Sequence, residues 1–216
     1  MSIVMETDLL FAHGAALGFC ANLFHPEFNR TLLHRCAEEG LSGSWPLPLT
    51  DETTRENQAA VLDALDTPTE EYLSAIEADN TALFIGPVEP VPMWESVWRT
   101  RERLLYGDCT EEVRLAYAQA GFTTPDDIHE PEDHLSLELT FLAALLIRSG
   151  QILEDGRPDA AAGELETARA FHHLHTSLWA FDCLREIGRL AATPFYRGAA
   201  DLCARTLFSL EALFGR

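Results

Sequence analysis

Leu135, Leu139, Leu142 and Leu146 fall in one row at helical spacing, with Leu137, Phe141 and Leu145 in a second row beside it. A helix apolar around so much of its circumference has to be wrapped by other elements. This segment therefore requires a multi-helix body, and the rest of the chain supplies helical patterns to build one. Leu9, Leu10, Ala16, Leu17, Cys20 and Leu23 mark one stripe. Pro26 permits a break before a second helix through Leu32, Leu33 and Cys36, and Gly40 to Pro48 reads as a loop. Further helices are expected over about Asp51–Leu65, from Pro68 through Tyr72, Leu73 and Ile76, from Glu95 to Leu105, and from Thr110 to near Gly121. Two follow Pro158, one carrying Phe171, Leu174, Leu178 and Phe181, the other opening at Thr193-Pro194. Thr67-Pro68-Thr69-Glu70 has the form of a capping box. Alternating strand patterns are absent. The expectation is an all-α, single-domain bundle of roughly ten helices spanning residues 1–216.

Charge narrows the function classes. Thirty-five acids against fifteen bases give a net charge of −20, which repels nucleic acid and anionic lipid and attracts cationic partners. Every base is arginine, so a P-loop lysine and a Schiff-base lysine are both excluded. The five cysteines (Cys20, Cys36, Cys109, Cys183 and Cys203) include no C-x-x-C pair and are expected as free thiols. The first residues lack the basic region of a signal peptide, and no apolar run approaches the ~20 residues of a membrane span. A cytoplasmic protein is expected.

Three constellations could carry chemistry. His172, His173 and His175 cluster, and the first and last could share a face; a metal site would need Glu166 or Asp182 to complete it, and polar surface or helix-end positions are the simpler reading. Asp133, His134 and Glu138 could form an acid–base set of a metal-dependent hydrolase, but Pro131, Glu132 and Asp133 also suit a stable helix start. Trp94 and Trp98, followed by Arg99, Arg101 and Arg103, could line a peptide groove or simply fill the core.

A series of motifs gives these positions a common meaning. They are Leu83-Phe84-Ile85-Gly86-Pro87, Trp94-Glu95-Ser96-Val97-Trp98, Arg101-Glu102, Tyr106-Gly107-Asp108, Glu130-Pro131-Glu132-Asp133-His134 and Phe195-Tyr196. In order and spacing they resemble the TorD/DmsD family of redox-enzyme maturation chaperones, from about residue 80 to the C-terminus. The resemblance implies a TorD-like all-α chaperone that is not an enzyme and carries no cofactor. It would bind the twin-arginine signal peptide of a molybdenum-containing oxidoreductase of the dimethyl sulfoxide reductase type, and hold the precursor until cofactor loading is complete.

By motif position, the implied peptide-binding residues are Leu83, Phe84, Gly86, Pro87, Trp98, Arg101, Gly107, Pro131, Asp133 and His134. In this reading Asp133 takes a leader arginine and His134 anchors the acid or the peptide backbone. The implied partners are that leader and, transiently, the export machinery, with no nucleic acid and a monomer favoured over a dimer. Around the Gly-Pro turn the chain has Val88, Glu89 and Pro90 where the DmsD branch is richer in tryptophan. A sister branch serving a different reductase therefore fits the same motifs.

Overall fold

A computed structural model describes residues 3–25, 31, 33, 45–48, 52–66, 68–86, 91–124 and 128–215. The described residues contain nine α-helices and no strand. They are α1 (Ile3–Leu23), α2 (Glu52–Asp66), α3 (Glu70–Asn80), α4 (Glu95–Arg99), α5 (Asp108–Gln119), α6 (Leu135–Glu154), α7 (Pro158–Leu174), α8 (Ala180–Leu190) and α9 (Pro194–Phe214). A π turn follows α3 at Thr81–Ile85, and a 3₁₀ turn follows α7 at Thr176–Leu178. The expected helix through Leu32 and Cys36 lies largely outside the described residues, as do Pro26, Gly40, Thr67, Pro87–Pro90 and Pro125.

α6 packs between α1 and α7, while α9 packs on α2, α8 and α1. α1 thus joins the two groups. The contact between α1 and α6 is close because glycines stand at the crossing: a methyl group on Gly14 would sit 2.6 Å from the Ile147 side chain, and one on Gly150 would sit 2.8 Å from Phe11. α6 is long and apolar enough to cross a membrane by length and composition, contrary to the sequence expectation, but 67% of its apolar window is buried within the fold. Its leucine rows explain this, since Leu135, Leu139, Leu142, Leu145 and Leu146 are all fully enclosed. Among the described cysteines, Cys20, Cys109, Cys183 and Cys203 are free and buried.

Several helix boundaries differ from the sequence expectation, each for a local reason. Thr69 caps α3 by accepting the N–H of Tyr72, so the helix starts two residues after Pro68. The segment expected as one helix from Glu95 to Leu105 stops at Arg99. The Thr100 hydroxyl (2.6 Å) and its N–H (3.3 Å) both turn back to the Ser96 carbonyl, and Arg103 and Tyr106 adopt positive φ. Gly107, not Thr110, precedes α5, and Thr110 is buried in its first turn. Pro131 does not open α6; it begins a turn closed by the His134 N–H on the Pro131 carbonyl at 3.1 Å, and His134 is the N-cap. The stretch from Phe171 to Phe181 breaks after Leu174 instead of continuing as one helix. Thr193-Pro194 does begin α9, where Thr193 caps Tyr196 and the Asp79 carboxylate accepts the N–H groups of Ala192 and Thr193.

Candidate peptide-binding site

Two segments far apart in sequence are tied together by backbone and side-chain bonds. Residues 91–95 run antiparallel to residues 133–135, with a bridge between Trp94 and His134. The Leu135 N–H donates to the Met93 carbonyl at 2.8 Å, and the Glu95 N–H donates to the Asp133 carbonyl at 2.9 Å. Asp133 adds its carboxylate, whose Oδ2 accepts the Ser96 N–H at 2.8 Å. Ser96 lies in the first turn of α4, where backbone N–H groups have no partner within the helix. Asp133 thus acts as a cap supplied from another part of the chain.

His134 completes the junction from the other side. Its Nδ1 accepts the Ser136 N–H at 3.2 Å, and its ring meets Trp94 edge-on with centroids 5.7 Å apart. Burial pushes the imidazole down to about 3, so it is neutral near pH 7. Trp94 Nε1 donates to Glu130 at 3.1 Å, and Trp98 Nε1 donates to the Pro92 carbonyl at 2.7 Å.

Below this junction lie two more buried carboxyl groups. Glu95 is fully enclosed, pairs with Arg99, and receives the Nδ1 proton of His175 at 3.1 Å. Glu138 receives the Thr176 hydroxyl at 2.7 Å and the Trp179 indole N–H at 3.2 Å. Burial and then the neighbouring Glu95 charge raise the Glu138 carboxyl well above its ordinary range.

The motif residues separate into two groups. Leu83, Pro131, Asp133 and His134 are buried, and their contacts are internal. In this arrangement the Asp133 carboxylate lies under Ser96 rather than at the surface expected for meeting an arginine. Phe84, Gly86, Trp98 and Gly107 are partly exposed, and Arg101 is exposed. Phe84 stands edge-on to Tyr196 with centroids 5.5 Å apart. A methyl group on Gly107 would sit 3.3 Å from the Ser96 side chain, so this glycine lets α5 begin close against α4. Pro87 lies outside the described residues.

The sequence reading missed three features. Arg99 and His175 converge on Glu95; the signal available was the buried-type spacing of Glu95 within Trp94–Trp98, but its partner is 80 residues away. Leu104, Leu105 and Tyr106, expected at a helix end, stand 65%, 42% and 68% exposed. The histidine cluster divides: His172 is buried with Nε2 3.3 Å from Glu211, His173 is half-exposed, and His175 turns to Glu95. The helix-end placement expected for these rings holds, with His172 and His173 in the last turn of α7 and His175 at its C-cap, but His172 and His175 are buried rather than at the surface. Among the described residues no group of three or more His, Cys, Asp and Glu is arranged to hold a metal. Asp133, His134 and Glu138 each serve a different structural bond, so the hydrolase reading finds no assembled site.

Comparison with known proteins agrees with the motifs. The family model described as nitrate reductase delta subunit matches residues 48–185. The Tat proofreading chaperone DmsD of Salmonella typhi is 30% identical over 192 residues, covering 88% of this chain and 83% of that protein. The chaperone protein YcdY of Escherichia coli (strain K12) is 27% identical over 165 residues, covering 76% and 73%. The chaperone protein TorD of Vibrio vulnificus (strain YJ016) is 26% identical over 114 residues, covering 51% and 53%. This chain belongs to the TorD/DmsD family of redox-enzyme maturation chaperones, proteins that are not enzymes.

Proposed function

We propose that the chain is a cytoplasmic, monomeric, single-domain chaperone that binds the twin-arginine signal peptide of a molybdenum-cofactor oxidoreductase. It holds the precursor until cofactor loading is complete and then releases it to the export machinery. A client of the dimethyl sulfoxide reductase type is what the motif resemblance implies, and a Tat proofreading chaperone among the relatives supports a client exported by the Tat route. The observation that carries the reading is the run Leu104–Tyr106, which presents two leucines and a tyrosine to solvent on a chain of net charge −20; Arg101, Glu102 and Arg103 precede it and Asp108 follows. An exposed apolar run on a strongly acidic chain suits a peptide in which two arginines precede an apolar stretch.

The division of labour follows from magnitudes. An exposed ion pair contributes about 0–1 kcal/mol, whereas burying one large apolar side chain contributes roughly 1.5–3 kcal/mol. Micromolar affinity requires about 8 kcal/mol. Apolar side chains of the leader therefore supply most of the affinity, and the acids orient it. Phe84, Gly86, Trp98, Arg101 and Gly107 form the contact face, and Pro87, outside the described residues, joins them by motif position alone. Leu83, Pro131, Asp133 and His134 act from beneath it, by fixing α4 and the loop after it.

Calorimetry with a synthetic reductase leader tests the proposal. Micromolar binding is expected, weakened when both arginines are replaced by glutamine. A purified chain that ignores every twin-arginine leader offered to it refutes the reading.

A further inference from the structure

The buried junction leads to a second surface. Glu95, held by Asp133 at its N–H, holds in turn Arg99 and His175. Arg99 also donates to the Leu174 carbonyl at 3.2 Å, which joins α4 to the end of α7. Between α5 and this end of α7 lies a groove of two adjoining cavities, of about 460 and 520 Å³, which share Ala116, Gln119, Leu174 and His175. Leu115, Leu174 and Leu178 stand along it, 51%, 63% and 51% exposed. Three exposed leucines around one cleft are an apolar surface without an internal partner.

The charges around the groove select its occupant. Its two described arginines already hold carboxylates: Arg99 holds Glu95, and Arg148 holds Glu164. Glu112 lines the end next to Arg99, where its charge acts on the guanidinium without a hydrogen bond to it. An anionic ligand thus finds its cations occupied, whereas an apolar segment with a cationic neighbour meets leucines along the floor and a carboxylate at the mouth.

We infer that the groove between α5 and α7 adds to the contact face at Leu104–Tyr106 and seats a further part of the leader's apolar stretch, with a leader arginine at the Glu112 end. This inference rests on the leader-binding reading and extends it to residues outside the motif set. It also gives the buried motif a purpose: Asp133 fixes Glu95, and Glu95 fixes the Arg99–Leu174 wall.

The test uses the full chain and a synthetic leader carrying a benzophenone in its apolar stretch. Leu115→Gln/Leu178→Gln changes only exposed positions, so its thermal midpoint should match the parent chain while Kd rises at least tenfold. Glu112→Arg should weaken the arginine leader several-fold and leave a diglutamine leader unaffected. Crosslinks should fall on α5 and α7. If the parent chain binds the leader but the double variant binds equally well, or if crosslinks fall only within residues 83–107 and 131–134, the groove is refuted and leader binding survives. If the parent chain binds no leader, both fall together.

Discussion

The Asp133 carboxylate accepts the Ser96 N–H at 2.8 Å, and through this one bond a turn 37 residues downstream starts α4. Both residues are fully buried, so water cannot replace the bond if it is removed. Asp133→Ala strands a buried donor and is expected to cost about 1–3 kcal/mol. Asp133→Asn keeps an oxygen for the Ser96 N–H but sets an amide NH2 group where Oδ1 has no partner, so it should destabilise as well, by less than Asp133→Ala. Urea denaturation of the two variants separates them. Equal losses would mean that the bond matters less than the shape of the side chain.

His134 and Glu138 set opposite pH dependences. Unfolded His134 takes up a proton near 6.5, while burial holds the folded ring down to about 3. Between these values the unfolded chain binds the extra proton, so stability falls as pH drops from about 6.5 toward 3. Folded Glu138 keeps its proton well above the ordinary 4.5, chiefly through burial. The folded chain therefore binds the extra proton there, and stability falls as pH rises above 4.5. In the window between 4.5 and 6.5 the two slopes oppose each other. His134→Asn retains a side chain suited to the N-cap and should flatten the acid arm; Glu138→Gln should flatten the alkaline arm. Denaturation at a series of pH values reads both, each as a difference from the parent chain of up to about 1.4 kcal/mol per pH unit.

Why some of this was legible and some was not follows from the range of the interactions. The leucine rows of α6 and the Thr193-Pro194 start of α9 are written in neighbouring residues, and sequence spacing finds them. The break at Thr100 is not written locally. Residues 95–105 have helical spacing, and only the downstream Asp133 and the back-bonded Thr100 hydroxyl show why the helix is confined to its first turn. The same limit applies to the site. An acid two residues after a proline looks like an exposed helix start, and nothing near Asp133 in sequence reveals the Ser96 N–H above it. His175 looked like one of a cluster because its carboxylate partner, Glu95, lies 80 residues away.

Glu95 itself gives a third prediction. Removing one partner of a fully buried ion pair is ordinarily severe. Here the Arg99 side chain is 33% exposed and can turn to solvent, so the larger loss falls on His175. Glu95→Gln should cost about 1–3 kcal/mol, because it retains one acceptor for the ring N–H. It should also loosen the Arg99–Leu174 link, so amide exchange at the end of α7 is expected to quicken more than exchange in α1 or α6. Uniform quickening across all three helices would show that Glu95 only adds stability and does not anchor α7.

The packing of α9 on α2 depends on one glycine. A methyl group added at Gly198 would lie 2.4 Å from the Asn57 carbonyl oxygen and 3.0 Å from the Val61 side chain. The first obstacle is backbone, which cannot rotate aside, so the helices must separate. Gly198→Ala is expected to cost about 1–3 kcal/mol despite the better helix propensity of alanine. Gly163, in α7, meets nothing within 4 Å, and there Ala should stabilise by roughly 0.5–1 kcal/mol. Thermal melts of the pair should move in opposite directions; a shared direction would contradict the close α2–α9 crossing.

The loop between α4 and α5 holds two non-glycine residues in the left-handed region, Arg103 at φ 51° and Tyr106 at φ 61°. Such a conformation costs an ordinary residue about 1–2 kcal/mol, and glycine avoids that cost while losing some unfolded-state entropy. Tyr106 makes up for none of it by burial, being 68% exposed. Selection for stability alone would favour glycine at this position. Tyr106→Gly should therefore leave the thermal midpoint unchanged or higher, while weakening leader binding several-fold through the lost ring. The two measurements made on one variant discriminate the explanations. A lower midpoint with intact binding would make Tyr106 a packing residue; a preserved midpoint with weakened binding makes the strained tyrosine a contact that the chaperone keeps for its peptide.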